Sequence, residues 1–105
     1  MVILTERIAN GGSCFVDVET SNKAKAVNSI AQDLIASLDT ILGRKADFQT
    51  TRGTSTQVID LESGDVLYNV RTVTRRGGHF QVAIYPQTND AREYLRNVTI
   101  DHLPR

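Results

Sequence analysis

The sequence predicts an α+β fold: an antiparallel sheet of about five strands with one long helix packed on one face. Three observations predict it. β-Branched runs flank glycine-bearing turns near both ends of the chain, a long central stretch repeats its apolar residues at helical spacing, and the connections between strands are short enough for antiparallel neighbours.

Val2–Ile8 and Cys14–Val18 read as the two arms of a β-hairpin, with Asn10-Gly11-Gly12 supplying the positive-φ positions of the turn. Thr20 and Ser21 are candidate N-caps for the helix that follows. Ala26, Val27, Ile30, Ala31, Leu34, Ile35, Leu38, Ile41 and Leu42 then form one apolar stripe, opposite Lys25, Ser29, Gln32, Asp33 and Ser37, and Gly43 suits the left-handed position that ends a helix. Residues 44–56 hold one large apolar residue, Phe48, and no sustained period. They read as a long loop, part of which extends the next strand.

Gln57–Glu62, Val66–Thr74 and His79–Tyr85 read as a three-strand meander, turning at Ser63-Gly64-Asp65 and again at Arg75-Arg76-Gly77-Gly78. Phe80, Val82 and Ile84 fall on one face of the last strand, and Pro86 stops it because proline cannot donate to a ladder. Asn89 or Asp90 would cap a short helix through Arg96, leaving Val98–Ile100 as a final strand.

The chain has 105 residues, 40% of them apolar, with 12 Lys and Arg against 12 Asp and Glu. That length and composition suit one domain that folds without metals or disulfides, since a chain near this size buries roughly two-thirds of its unfolded surface. The lone Cys14 cannot form an internal disulfide and lacks partners for a zinc site. Met1–Ile8 has no basic n-region followed by a sustained apolar run, and no segment is long and apolar enough to span a bilayer. A soluble, cytoplasmic protein without membrane contact is expected.

Zero net charge conceals segregation along the chain. Residues 44–57 carry net +2 and residues 66–89 net +3, leaving −5 on the rest. Arg75 and Arg76 sit with two glycines at a hairpin tip, where guanidinium groups reach phosphates and His79 adds a donor. Arg44, Lys45, Arg52 and Arg71 would widen this tip into a nucleic-acid patch if folding gathered them; otherwise the same charges keep an exposed hairpin soluble. Aromatic interleaving is thin, because Phe80 belongs to an apolar alternation and Tyr68 and Tyr85 suit packing equally well. Phe48, alone in polar sequence, either anchors its segment to the core or serves as a protein-binding anchor.

No catalytic constellation surrounds His79, His102, Cys14 or the acids Asp60, Glu62 and Asp65. Asp60 and Glu62 share a strand face at i and i+2, but a solvated strand edge accounts for them. Gly11-Gly12 and Gly77-Gly78 lack the context of a phosphate-binding loop, and Asn97-Val98-Thr99 lacks the secretory signal a glycosylation acceptor requires. The expectation is a cofactor-free, metal-free, non-enzymatic protein that binds or regulates a protein partner and self-associates through an open strand edge. Its alternative is a nucleic-acid-binding protein acting through Arg44, Lys45, Arg52, Arg71, Arg75 and Arg76, and a small enzyme is the remaining class.

Overall fold

A computed structural model of the chain describes residues 2–7, 13–18, 21–52 and 54–97. Its elements run β1 (Val2–Arg7), β2 (Cys14–Val18), α1 (Lys23–Leu42), β3 (Ala46–Arg52), β4 (Ser55–Asp60), β5 (Val66–Thr74), β6 (Phe80–Pro86) and α2 (Asn89–Asn97). The strands form one antiparallel sheet in the order β1-β2-β6-β5-β4-β3. This is an α+β fold with the hairpin pairing β1 with β2 and the meander β4-β5-β6. The Asn10-Gly11-Gly12 turn and the strand expected at Val98–Ile100 lie outside the described residues.

The sixth strand corrects the loop expected over residues 44–56. Ala46–Arg52 pairs with β4, from Ala46 opposite Asp60 to Arg52 opposite Ser55. It is a marginal strand, so only Ala46 and Phe48 need to turn toward the core, and polar Asp47, Gln49, Thr50, Thr51 and Arg52 remain exposed. One inward-facing aromatic and three threonine or glutamine residues are sufficient for a strand paired on one side, although they give no apolar period.

Asn22, rather than Thr20 or Ser21, caps helix α1. The Asn22 side-chain oxygen accepts the Lys25 N–H at 3.0 Å, satisfying an amide with no partner inside the helix. Gly43 closes the other end at φ 64°, and its N–H returns to the Asp39 carbonyl at 2.9 Å. Between these caps the buried stripe Ala26, Val27, Ile30, Ala31, Leu34 and Leu38 lies across β3, β4 and β5. Against it stand Cys14, Val16, Val58, Tyr68, Val70, Phe80, Val82 and Ile84 from the sheet. Cys14 is a buried thiol in this core.

Helix α2 covers the same face. Thr88, not Asn89 or Asp90, caps it, its hydroxyl accepting the Ala91 N–H at 3.0 Å. Ala91, Tyr94 and Leu95 join the core, the buried Tyr94 and Ser37 hydroxyls hydrogen-bond to one another, and the Tyr68 hydroxyl donates to the Ala91 carbonyl at 3.0 Å. Burial raises the pKa of both tyrosines, for Tyr94 against the opposing effect of its Ser37 bond. Both helices therefore occupy one side of the sheet, leaving the other side without a covering element among the described residues. No helix among those residues is long and apolar enough to cross a membrane.

Candidate binding face

Strand alternation determines what the helix-free side presents. On β4 the residues Thr56, Val58 and Asp60 turn inward, so Ser55, Gln57 and Ile59 turn outward. The pairing register carries that parity across the sheet: Arg52, Ser55, Arg71, Ala83 and Phe15 stand opposite one another, and so do Gln49, Gln57, Asn69 and Tyr85. A basic row thus adjoins a row of amides and a phenol.

Two arginines lie over aromatic rings of this side. The Arg75 guanidinium carbon is 4.9 Å from the Phe15 ring centroid, and that of Arg71 is 4.9 Å from the Tyr85 centroid. Phe15 and Tyr85 meet edge to face at 6.4 Å and 88°, completing the ladder Arg75–Phe15–Tyr85–Arg71. The Arg75 Nε donates to the Gln81 side-chain oxygen at 2.7 Å, and the Gln81 amide donates to Asp17 at 2.9 Å. These bonds fix Arg75, while Arg71 is exposed at the rim of an open groove of about 420 Å³ lined by Thr51, Ser55, Asn69, Tyr85 and Gln87. Hydroxyl and amide groups around one guanidinium suit a polar anionic ligand.

The strand directions also sort the charges. The β3–β4 turn, the β5–β6 tip and the start of α1 emerge at one end of the sheet, where the Lys23 ammonium lies 5.7 Å from the Phe80 centroid. Lys23, Lys25, Arg52, Arg75, Arg76 and His79 belong to this end. At the tip, Gly77 and Gly78 take φ 85° and 83°, which favours glycine, and the Arg75 N–H donates to the His79 carbonyl at 2.8 Å. Among the described residues, no carboxylate is within ion-pair distance of Lys23, Lys25, Arg52, Arg71, Arg75 or Arg76.

Arg44, Lys45 and Phe48 do not join that surface. The first two leave α1 at the opposite end, where Arg44 donates through Nε and a terminal nitrogen to Asp60 at 3.0 and 2.8 Å, and Lys45 pairs with Asp39 at 2.7 Å. Phe48 packs on the core, the anchoring role open to it from sequence. Asp60 is likewise not on a solvated edge: it is 4% exposed. The Arg44 hydrogen bond, and next the Glu62 N–H, hold its carboxyl below the usual range. Folding therefore does not gather the whole basic set into one patch: among its members, Arg52, Arg71, Arg75, Arg76 and His79 share a region.

Sequence reading missed Lys23, Lys25, Phe15 and the groove residues Thr51, Ser55, Asn69 and Gln87. The lysines were visible as the first helical turn, but only a helix running the length of the sheet brings them to the β5–β6 tip. No group of His, Cys, Asp and Glu among the described residues could hold a metal ion. The chain matches no protein-family model, no curated protein and no solved structure.

Proposed function

We propose that the protein is a non-enzymatic binding protein whose partner is a single-stranded nucleic acid laid over the helix-free side of the sheet. The observation that carries this reading is the arginine and aromatic ladder at the end of the molecule where the cations collect. Arg52 and Arg76 supply positive charge along a phosphate backbone; Arg71 and Tyr85 offer a surface on which a base stacks, beside Asn69 and Gln87 as hydrogen-bonding groups. An open, polar groove suits a flexible strand better than a rigid duplex.

The test is fluorescence anisotropy with labelled mixed-sequence single-stranded DNA and RNA at low and moderate salt. Binding that weakens with salt is expected. Tyr85→Ala should weaken it by about 10- to 100-fold, the worth of one base stacked on an aromatic ring, and Arg71→Glu should weaken it further. Absence of binding at low salt overturns the reading.

A protein partner is the second reading, favoured by a different observation. Ile41, Leu42 and Leu61, exposed by 42%, 52% and 62%, belong to the opposite end, where the Leu61 N–H meets the Lys45 carbonyl at 3.1 Å. They are the exposed large hydrophobic residues of the described chain, and Leu61 stands between Asp60 and Glu62. A protein docked there would lose affinity on Leu42→Ser and Leu61→Ser, substitutions that leave nucleic-acid binding unchanged.

A further inference from the structure

We infer that the free edge of β3 is a self-complementary dimer interface, on which β3 of a second copy pairs antiparallel to continue the sheet. The strand stands at the sheet margin, is seven residues long, and has no described element against its outer edge. It carries no lysine or proline; its protection is limited to the irregularity between Thr50 and Arg52 and to the Asp47 carboxylate, which accepts the Phe48 N–H at 2.8 Å. Its centre, Gln49-Thr50-Thr51, is uncharged and compatible with a ladder.

Charge complementarity identifies the occupant. Asp47 stands opposite Ile59 and Gln49 opposite Gln57; the register shift between Thr50 and Arg52 then places Arg52 opposite Ser55. Asp47, Gln49 and Arg52 thus share the helix-free side, with Gln49 midway along the pairing. A two-fold axis perpendicular to the sheet, midway between the two Gln49 residues, sets Asp47 of each copy against Arg52 of the other once the extra residue between Thr50 and Arg52 is counted, so one contact occurs twice. A foreign strand has no reason to match both ends of β3, whereas a second copy does so by symmetry. Both helix-free sides would then face one way on a continuous sheet with two grooves.

This interface is independent of ligand, so sedimentation analysis of the protein alone tests it apart from any nucleic-acid binding. At low salt the wild type should sediment at twice the monomer mass. Asp47→Arg and Arg52→Asp should each weaken dimerisation by about tenfold or more, because each creates two like-charge pairs. The double variant D47R/R52D, with the charges exchanged, should recover the dimer. Both positions are exposed, and a thermal melt of each variant establishes that it is folded. A wild type monomeric at low salt, single variants that still dimerise, or a double variant that stays monomeric each overturns the inference.

Discussion

At the residue scale, two aspartates show how environment changes the contribution of one side chain. Asp60 accepts two hydrogen bonds from Arg44 and one from the Glu62 N–H, so the fold favours its charged form. Its folded pKa is below the unfolded value, and its stabilisation is present above that unfolded value and lost as pH falls through the folded one. Asp33, on α1, has the opposite sign. Burial raises its pKa from 3.8 to about 6, so its contribution is fully present below 3.8 and declines as pH rises through 6. Asp60→Asn should therefore destabilise at pH 7 by about 2 kcal/mol, the worth of a charge-assisted hydrogen-bond set. Asp33→Asn should stabilise at pH 7 by about 1 kcal/mol, allowing for solvent screening of a half-buried group, with no gain near pH 3. Denaturant titrations across pH check both signs. Neither role was legible in sequence, because Asp60 is separated from Arg44 by sixteen positions and an intervening strand. Arg75 and Arg76 were legible as a tip because local chemistry, two consecutive glycines after two cations, determines that turn.

At the element scale, legibility followed local periodicity. Helix α1 was apparent because its apolar stripe recurs from Ala26 to Leu42, and β6 because Phe80, Val82 and Ile84 alternate. Strand β3 was not, since a marginal strand needs an apolar residue at few positions and its identity comes from pairing with β4. How α2 attaches was also hidden: the Tyr94–Ser37 and Tyr68–Ala91 bonds join elements far apart in the chain. Tyr94→Phe should cost about 1 to 2 kcal/mol, because it leaves the buried Ser37 hydroxyl without its Tyr94 partner. Adding Ser37→Ala should recover part of that loss, giving a double variant more stable than the two single effects summed. Thermal melts of the four proteins measure this coupling, and strictly additive losses would show that the bond does not tie α2 to α1.

At the scale of the whole molecule, a chain of zero net charge has unlike ends because α1 runs the length of the sheet. The helix starts beside the β5–β6 tip, adding Lys23 and Lys25 to Arg52, Arg75 and Arg76, and delivers Arg44 and Lys45 to the end where Asp39 and Asp60 hold them. Composition could not reveal this, since the segment 44–57 that looked basic as a block is divided between both ends. The division makes a quantitative prediction about salt. For a single strand, the logarithm of affinity falls against the logarithm of salt concentration with a slope of about −0.7 per neutralised phosphate. Three contacts from Arg52, Arg71 and Arg76 would give a slope of about −2. Arg76→Glu should make that slope shallower by about 0.7 or more, because one contact is lost and a repulsion added. Lys45→Glu makes the same change in net charge, yet it lies at the far end and breaks only an exposed ion pair of small energetic worth. Its slope should therefore equal that of the wild type. Salt titrations of the three proteins separate the two cases: equal slopes for Arg76→Glu and Lys45→Glu would mean that binding responds to net charge and not to the end at which the cations are gathered.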